Sequence, residues 1–471
     1  MRTINKIYLN GAFVEPHGTE VFDLVSPVTN QMIGRVVLGD EEDTRRAIAY
    51  AKAAFVHFSR TAKEERIAYL QRLHEAVMKK KDLLTAAMVE EYGGPLQFSR
   101  MSIENGVSAF ARAIETLRGF DLEKTMGESK VVLEPLGVVG IITPWNASNS
   151  FICNKLATAI SAGCTVVIKP SEMSAIQTQV LVECLHEAGL PAGVFNVVNG
   201  LGNVVGAELT RNRDIAKISF TGSTVVGKTI ARSAVDTMKR VTLELGGKSP
   251  NIILDDADVS KAIPLAVMAA FMNSGQACIA GTRLLVPVER LEEIKPLVRS
   301  AVEGIKVGDP TKEDTNIGPM VSRKQYERVQ QYIRLGMEEG AELLTGGEGR
   351  PKGLEAGNFV RPTVFVNVTN DMRIAREEIF GPVLSILTYR TEEEAIAIAN
   401  DTDYGLQAYV SSSDMERAYR VASRLIAGRV LVNGLKHDPY APFGGFKQSG
   451  MGREYGVYGL EEYMEPKAII S

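Results

Sequence analysis

Three short runs rich in β-branched residues decide the fold of this chain: Thr165-Val166-Val167-Ile168, Phe195-Asn196-Val197-Val198 and Ile218-Ser219-Phe220. Helical segments with glycine or proline at their edges separate them. Strands that alternate with helices in this way form a largely parallel sheet with helices on both faces. The stretch therefore predicts a doubly wound α/β lobe, in which ligands bind beyond the carboxyl ends of the strands.

A second series of strand-like runs follows Gly246-Gly247 and indicates a second α/β lobe. Its members are Asn251-Ile252-Ile253-Leu254, Arg283-Leu284-Leu285-Val286, Leu384-Ser385-Ile386-Leu387 and Val430-Leu431-Val432. A chain of 471 residues is longer than one hydrophobic core usually serves. We therefore expect one lobe from residues 1–120 and 141–246 and another from residues 247–440. A hairpin turning at Asn10-Gly11 and a helix starting at Asp40 belong to the first lobe.

The composition excludes several classes of function. The chain is 45% hydrophobic and 23% charged, as in ordinary globular proteins, and its net charge of −4 argues against a nucleic-acid partner. No apolar stretch is long enough to span a bilayer, so we expect no membrane partner. None of the four cysteines forms a CxxC pair, and no histidine lies at the spacing from them that zinc sites use. Neither a metal site nor a disulfide framework is therefore expected. This cysteine usage predicts a reducing cytoplasm.

One segment favours a different class of enzyme. Gly222-Ser223-Thr224-Val225-Val226-Gly227-Lys228-Thr229 fits the phosphate-loop pattern GxxxxGK[ST], follows a strand-like run and opens a helix. Downstream, an apolar strand-like run followed by acids resembles the strand and aspartate that hold magnesium in such enzymes: Ile252-Ile253-Leu254-Asp255-Asp256. A P-loop NTPase is therefore an alternative, although it leaves the other special residues of the chain unexplained. The simpler hypothesis is that backbone N–H groups at this helix N-terminus receive a dinucleotide pyrophosphate.

Cys278 is the candidate nucleophile. It ends the stretch Asn273-Ser274-Gly275-Gln276-Ala277-Cys278, whose small residues allow a substrate to approach the sulfur. A lone cysteine is more often a small buried hydrophobe. That is our interpretation of the other three cysteines, Cys153, Cys164 and Cys184.

Glu244 changes the interpretation of Cys278. It follows Val241-Thr242-Leu243 at the end of a strand-like run, where a carboxyl group costs free energy unless it is used or paired. Burial would raise its pKa toward the range of a general base. A solvated strand-end glutamate is the alternative for this residue in isolation.

Seven short motifs occur between residues 140 and 456. They are Thr143-Pro144-Trp145-Asn146, Lys169-Pro170-Ser171-Glu172, Phe220-Thr221-Gly222-Ser223, Leu243-Glu244-Leu245-Gly246-Gly247-Lys248, Gly275-Gln276-Ala277-Cys278, Glu378-Ile379-Phe380-Gly381-Pro382 and Pro442-Phe443-Gly444-Gly445. In order and spacing they are similar to the motif series of the aldehyde dehydrogenase superfamily, and the N-terminal part fits the length and layout of that family. One motif would be weak evidence, but seven in order indicate the family.

The resemblance implies covalent catalysis on Cys278. Its thiolate would attack the aldehyde carbon, while the Asn146 amide and the Cys278 backbone N–H would hold the oxyanion. Hydride transfer to the nicotinamide would leave a thioester, which water activated by Glu244 would hydrolyse to the carboxylic acid. Retention of Glu244 favours hydrolysis over the closest alternative, transfer of the acyl group to coenzyme A. A non-catalytic relative is disfavoured because all three residues are present.

The resemblance also implies a Rossmann-like NAD-binding domain followed by a catalytic domain. The residues that match cofactor-binding positions are Trp145, Lys169, Glu172, Gly222, Ser223, Glu378 and Phe380. Lys169 and Glu172 match the adenosine ribose ligands, Ser223 the pyrophosphate contact and Glu378 the nicotinamide ribose ligand. A carboxylate at Glu172 repels a 2′-phosphate, so NAD is expected over NADP.

The residues around the aldehyde depart from the family pattern. Phe151 and Phe443 are the residues that we expect in the substrate pocket. Ala147-Ser148-Asn149 stands where members often have an aromatic residue and a proline, and Lys436-His437-Asp438 stands where many are more apolar. A polar aldehyde is therefore conceivable, but polar loop residues are more often simply solvated.

Two terminal or edge segments predict contacts between subunits. Residues 121–140 contain the strand-like runs Lys130-Val131-Val132-Leu133-Glu134 and Gly137-Val138-Val139-Gly140, and the chain ends in another, Glu465-Pro466-Lys467-Ala468-Ile469-Ile470. Exposed edge strands are usually paired. The resemblance implies that residues 121–140 and 457–471 form an oligomerisation arm in a homodimer or homotetramer. The alternative is that both segments pack on their own subunit.

Overall fold

The computed structural model describes residues 2–470, which form 21 β-strands and 15 α-helices. The strands are β1 Arg2–Ile4, β2 Ile7–Leu9, β3 Ala12–Val14, β4 Val21–Val25, β5 Met32–Val37, β6 Glu123–Met126, β7 Ser129–Pro135, β8 Val138–Ile142, β9 Thr165–Lys169, β10 Phe195–Val197, β11 Ile215–Thr221, β12 Arg240–Glu244, β13 Pro250–Ile253, β14 Arg283–Pro287, β15 Glu342–Thr345, β16 Thr363–Val366, β17 Val383–Tyr389, β18 Gln407–Ser411, β19 Arg429–Val432, β20 Gly450–Met451 and β21 Met464–Ile469. The helices are α1 Glu41–Phe58, α2 Lys63–Lys79, α3 Lys81–Tyr92, α4 Leu96–Arg118, α5 Ser148–Ala162, α6 Ala175–Glu187, α7 Ala207–Arg211, α8 Thr224–Val235, α9 Val259–Phe271, α10 Leu291–Glu303, α11 Arg323–Glu338, α12 Arg373–Arg376, α13 Glu392–Asn400, α14 Met415–Ala422 and α15 Gly456–Glu461. None of these helices is both long and apolar enough to cross a membrane.

The first lobe is built on an eight-stranded sheet with the order β20-β12-β11-β8-β9-β10-β2-β3. The five strands from β12 to β10 are parallel, and antiparallel β20 and the β2–β3 hairpin close the two edges. Strands β8 and β9 are buried along their whole length because helices cover both faces of the sheet. The doubly wound lobe is confirmed, as are the turn at Asn10-Gly11 and the helix start, where the Asp40 side chain caps α1.

The second lobe contains a seven-stranded sheet with the order β15-β16-β17-β14-β13-β18-β19. All its strands are parallel except β15, which lies antiparallel at one edge. Separate hydrophobic clusters cover the two faces of this sheet. The predicted second α/β lobe is therefore confirmed. The connection between the lobes runs from the end of β12 at Glu244 to the start of β13 at Pro250, across Gly246-Gly247.

A separate three-stranded sheet, β21-β7-β6, corrects the predicted limits of the arm. The arm was expected over residues 121–140, but β8, which begins at Val138, is a central strand of the eight-stranded sheet. Residues 457–471 also contain part of helix α15, which packs against α5 and α4. The sequence of this region shows two adjacent β-branched runs, which become β7 and β8. It does not reveal that these two strands join different sheets. Within the chain, β21 pairs with β7 from Met464 to Ile469.

The topology brings the ends of several parallel strands to one place. Strands β8, β11 and β12 end at Ile142, Thr221 and Glu244, and the chain segments that follow them leave the same edge of the first sheet. Carboxyl ends of parallel strands form the crevice in which doubly wound folds bind ligands. The ligand-binding residues of this lobe are therefore expected at this edge.

Candidate active site

A cavity of about 560 Å³ lies between the two lobes at the carboxyl ends of these strands. It is lined by nine of the twelve predicted site residues: Trp145, Asn146, Phe151, Gly222, Ser223, Glu244, Cys278, Glu378 and Phe380. The other three, Lys169, Glu172 and Phe443, lie outside its lining. Residues that are far apart in the sequence and belong to both lobes thus meet around one volume.

Gly246-Gly247 allows the two lobes to approach each other. A Cβ atom on Gly246 would lie 2.6 Å from Oε2 of Glu378, and one on Gly247 would lie 2.3 Å from the carbonyl oxygen of Cys278. The Gly247 backbone N–H donates to Oε1 of Glu378 at 3.0 Å. Glycine is needed here because a side chain at Gly247 would push away the loop of Cys278, and one at Gly246 would displace the carboxyl group of Glu378.

Cys278 follows a turn with an unusual backbone. After helix α9, the residues Asn273, Ser274 and Gly275 have positive φ angles of 50°, 58° and 72°. Positive φ is costly for the two residues with side chains, and it persists where surrounding contacts hold it. A Cβ atom on Gly275 would lie 2.2 Å from the carbonyl carbon of Gly381, so this turn packs directly on the chain segment that carries Glu378.

Buried hydrogen bonds hold the Asn146 amide beside this turn. Asn146 Nδ2 donates to the carbonyl oxygen of Gln276 at 2.9 Å, and Asn273 Nδ2 donates to the Asn146 carbonyl oxygen at 3.3 Å. Tyr92 donates from its hydroxyl to Asn273 Oδ1 at 2.8 Å and accepts from Gln276 Nε2 at 3.1 Å. An amide group has two N–H donors, so Asn146 keeps one for a ligand in the cavity. The sequence did not point to Tyr92, because only its fold contacts reveal its role.

Burial dominates the electrostatics of Cys278. It raises the pKa of the thiol, and the nearby carboxyl groups of Glu378 and Glu244 raise it further. The backbone N–H groups of Cys278 and Ile279 act in the opposite direction because they favour the thiolate. In the protein without cofactor, the thiol form therefore prevails at neutral pH.

Glu244 is a buried carboxyl group without a hydrogen-bond partner among residues 2–470. Its side chain is 2% exposed, and both carboxyl oxygens are unbonded. Burial raises the pKa of Glu244, the charge of Glu454 adds to this rise, and Lys155 opposes it. Lys155 itself forms a buried ion pair with Glu454. A carboxyl group with a raised pKa is a stronger base once it is ionised, so Glu244, which lines the cavity, is suited to accept a proton from water.

The residues expected to bind NAD fit a dinucleotide. Ser223 caps helix α8, and it lines the cavity together with Thr224 and Val225, so the N-terminus of this helix lies at the cavity, where helix N-termini bind anions. The buried Thr221 hydroxyl has no hydrogen-bond partner among residues 2–470. Lys169 and Glu172 form an ion pair at 3.2 Å at the end of β9, outside the lining of the cavity. Burial raises the pKa of Glu378 to about 7.

The sheet topology contradicts the alternative hypothesis of a P-loop NTPase. Strand β11, before the glycine-rich segment, belongs to the eight-stranded sheet, whereas β13, which leads to Asp255-Asp256, belongs to the seven-stranded sheet. The aspartates therefore cannot face a phosphate loop from a neighbouring strand. Lys228 donates to Oε1 of Gln448 at 2.7 Å, and Asp256 binds Arg417. Within residues 2–470, no three His, Cys, Asp or Glu side chains cluster as metal ligands do.

Helix α11 contributes cavity residues that sequence reasoning missed. Gln325 Nε2 donates to the Phe380 carbonyl oxygen at 2.8 Å, and Arg328 Nη2 donates to the Glu378 carbonyl oxygen at 2.7 Å. Both residues also line the cavity, together with Tyr332 of the same helix. The sequence of α11 is that of an ordinary amphipathic helix, so it does not single out these residues. Only their contacts with the segment of Glu378 in the folded protein identify them.

Comparisons with known proteins agree with this arrangement. The model of the aldehyde dehydrogenase family matches residues 13–469. The chain is 47% identical to a 3-succinoylsemialdehyde-pyridine dehydrogenase of Pseudomonas sp, over 100% of this chain and 99% of that protein. Aldehyde dehydrogenase C of Pseudomonas syringae, solved with NAD⁺ and octanal, is 46% identical with a TM-score of 0.97, over 99% of this chain and 96% of that one. Betaine aldehyde dehydrogenase of Staphylococcus aureus, solved with NAD⁺, is 35% identical with a TM-score of 0.96, over 99% and 94% of the two chains.

The fold and the cavity thus define an oxidoreductase with a dinucleotide site and a cysteine at the lobe interface. The chain belongs to the aldehyde dehydrogenase family. It is an NAD-dependent aldehyde dehydrogenase, and it oxidises aldehydes.

The close approach at Gly247 predicts the effect of one methyl group. Gly247→Ala places a Cβ atom 2.3 Å from the Cys278 carbonyl oxygen, so the loop of Cys278 must move. We expect a loss of stability of about 3 kcal/mol and a loss of most NAD-dependent aldehyde oxidation. Thermal unfolding and initial rates measure these effects. Gly119→Ala is the control, since its Cβ would meet only the Glu115 carbonyl oxygen, at 3.9 Å. Equal rates for the two variants would contradict this account of the lobe contact.

The raised pKa of Cys278 predicts how its alkylation depends on pH. Only the thiolate reacts with iodoacetamide, and a thiol whose pKa lies above its usual range loses its proton only in alkaline solution. We expect alkylation of the protein without NAD to be slow at neutral pH and to rise about tenfold per pH unit above it. Peptide mass spectrometry assigns the label, with Cys278→Ser as the control. A rate that is fast and constant in mildly acidic solution would show that the thiolate is already present.

Proposed function

We propose that the aldehyde is oxidised through a covalent thioester on Cys278, which water then hydrolyses. The observation that carries this proposal is that Cys278, the unbonded carboxyl group of Glu244 and the amide of Asn146 line one cavity. A nucleophile, a base and an oxyanion donor are the three groups that acyl chemistry requires.

In the first half of the reaction, the Cys278 thiolate forms a bond to the aldehyde carbon, and the carbonyl oxygen becomes an oxyanion. Asn146 Nδ2 and the Cys278 backbone N–H donate to that oxygen. The thiol proton is first lost to solvent or to Glu244, which is the basic group in the cavity, so this step does not depend on Glu244 alone. NAD, when bound, supplies the hydride acceptor, so that the aldehyde carbon is oxidised to the level of a thioester.

In the second half, Glu244 takes a proton from a water molecule that attacks the thioester carbon. The carbon–sulfur bond then breaks, which releases the carboxylic acid and restores the Cys278 thiolate. Glu244 performs this step as a carboxylate, so the rate of hydrolysis should rise with pH until its raised pKa is passed. Within the neighbouring ion pair, the charge of Glu454 adds to the rise in the pKa of Glu244, and the charge of Lys155 opposes it in part.

The two lobes divide the work in this proposal. Residues 1–120 and 138–246 form the NAD-binding domain, in which Trp145, Gly222 and Ser223 hold the dinucleotide and Lys169 and Glu172 hold its adenosine ribose. Residues 247–440 form the catalytic domain.

Glu378 of the catalytic domain reaches back toward Gly247 and would bind the nicotinamide ribose, with Phe380 beside it. The Phe380 ring lies 5.5 Å from the ring of Trp145, edge to face, so the two aromatic side chains pack against each other in the lining of the cavity. This contact supports the roles proposed for both residues.

The substrate is proposed to be an aldehyde at the end of an extended chain. One relative is named for a semialdehyde, and another was solved with octanal. Phe151 lines the cavity, and Phe443 lies beside Tyr455 with a ring distance of 5.6 Å. A cytoplasmic setting is part of the same proposal, and the free thiols of the four cysteines are compatible with it.

Two variants test the thioester proposal. Cys278→Ala should abolish aldehyde oxidation and leave NAD binding intact, because the cofactor contacts lie on other loops. Glu244→Gln should still reduce NAD once per site in a burst, followed by a steady rate that is lower by about a hundredfold to ten-thousandfold. Stopped-flow absorbance measures both phases, and calorimetry measures NAD binding.

Two outcomes would contradict it. Full turnover by Cys278→Ala would remove this residue as the nucleophile, and an unchanged steady rate in Glu244→Gln would remove Glu244 as the base. A strong acceleration of the wild-type protein by coenzyme A would favour acyl transfer over hydrolysis.

We also propose a homodimer or homotetramer built through the β21-β7-β6 sheet. Strand β6 is exposed throughout, and β21 is exposed except at Met464. The apolar side chains of Met126 and Ile469 are 65% and 51% exposed on this small sheet. Edge strands with exposed apolar side chains are liabilities unless another chain covers them.

Removal of residues 465–471 tests this assembly. The truncation deletes most of β21, so we expect analytical ultracentrifugation to show a smaller species than the intact protein at micromolar concentration. Lys467→Gln, which removes only the ion pair with Glu134, is the matched control and should assemble normally. A monomeric intact protein, or a truncated protein with unchanged sedimentation, would contradict the proposal.

A further inference from the structure

Helices α4 and α5 carry a cluster of polar side chains close to the cavity of Cys278. Asn105 Nδ2 donates to Ser150 Oγ at 2.8 Å. Arg112 Nη2 donates to the side-chain oxygens of Asn105 at 2.9 Å and Asn154 at 3.2 Å. Asn154 Nδ2 donates in turn to the Ser150 carbonyl oxygen at 2.7 Å. These hydrogen bonds hold the four side chains in fixed positions.

Helix α5 links this cluster to the active site. Phe151, in its first turn, lines the Cys278 cavity, and Asn154 lies three residues later on the same side, about 4.5 Å along the helix axis. Arg112, Asn154 and Tyr455 line a second, small cavity of about 30 Å³. The ring of Tyr455 lies 5.6 Å from that of Phe443. The cluster therefore lies next to the active-site cavity, on the same helix as Phe151, and borders a second cavity of its own.

The charge of Arg112 has no acidic partner within 4.0 Å among residues 2–470. Its hydrogen bonds all leave from Nη2, and the acceptors are neutral oxygens of Asn105 and Asn154. The acids in this region are engaged elsewhere, since Glu115 accepts from Tyr440 and Glu454 pairs with a lysine. Burial lowers the pKa of Arg112, which is the sign of a desolvated charge without a counter-ion.

A structural arginine looks different in this protein. Arg66 is buried and donates from all three guanidinium nitrogens, to Thr61 Oγ1 and to the carbonyl oxygens of Ala162 and Ser59. In the described part of the chain, Arg112 makes no hydrogen bond from Nε or Nη1. A carboxylate is the acceptor that such free guanidinium N–H groups bind most strongly.

We propose that Arg112, supported by the amides of Asn105 and Asn154, forms a subsite for a carboxylate at the far end of the aldehyde substrate. This inference rests on the proposed function, and it makes ω-oxo acids the preferred substrate class. The subsite binds a group that does not react, so it lowers KM and leaves the chemistry at Cys278 unchanged. Arg429, which lies 4.9 Å from the ring centre of Phe443, adds a second positive charge on this side.

The experiment compares ω-oxo acids, from succinic to suberic semialdehyde, with the n-alkanals of the same chain lengths. For the wild-type protein with NAD, we expect at least one oxo acid to have a higher kcat/KM than its alkanal. Arg112→Gln should lower kcat/KM for that oxo acid by roughly tenfold or more, through KM, and leave the alkanals nearly unchanged. Arg118→Gln, on the exposed last turn of the same helix, is the matched control and should alter neither series.

Several outcomes would overturn the subsite. If wild-type protein oxidises every alkanal as well as the matching oxo acid, the subsite is wrong and the thioester chemistry stands. If it reduces NAD with no aldehyde at all, the proposed function is wrong. An equal loss for both series in folded Arg112→Gln would give Arg112 a structural role. An equal gain with ω-hydroxy aldehydes would show that charge is not recognised. If the variant does not fold, the wild-type comparison decides.

Discussion

The carbonyl oxygen of Cys278 lies 2.3 Å from the point that a Cβ atom of Gly247 would occupy, and Oε2 of Glu378 lies 2.6 Å from the corresponding point at Gly246. The absence of two side chains therefore allows the segment that joins the lobes to pack directly against Cys278 and Glu378. The Gly247 N–H that this approach exposes is also the donor that holds Glu378. Because Cys278, Glu244 and Glu378 come from different segments of the chain, their mutual geometry depends on this contact. Effective catalysis requires such groups to be placed within fractions of an ångström.

The same close packing accounts for the electrostatics of the site. Cys278, Glu244 and Glu378 are all desolvated, and burial is the main cause of the rise in pKa for each of them. Three acidic groups around one cavity oppose one another's ionisation. In the protein without cofactor, Cys278 and Glu244 therefore favour their neutral forms. A ligand that brings positive charge or hydrogen-bond donors into the cavity shifts these groups toward their charged forms.

Much of the fold could be predicted from the sequence, and so could the candidate residues Cys278, Glu244 and Asn146, because both depend on local patterns. Alternating strands and helices specify the two lobes. Glu244 and Cys278 each stand in a short motif with glycine or other small residues, and these motifs mark the two positions in the sequence. The arm was misjudged at Val138, because a strand does not reveal in its own residues which sheet it joins. Tyr92 and Gln325 were missed for a related reason, since each reaches the site from a helix whose local pattern is ordinary.

The two sides of the cavity differ in what holds them together. On the cofactor side, the contacts use backbone N–H groups and glycine, at Ser223 and Gly247, so almost any substitution there disturbs the backbone itself. In the subsite proposed for the far end of the substrate, by contrast, the contacts come from side chains on helices α4 and α5, such as Arg112 and Asn154, which can be exchanged while the helices keep their packing. Asn146 lies just before α5, and its amide is held from the Cys278 loop, so it does not depend on those side chains. A fold built in this way keeps one reaction constant and leaves the choice of aldehyde to residues that never touch the reacting carbon.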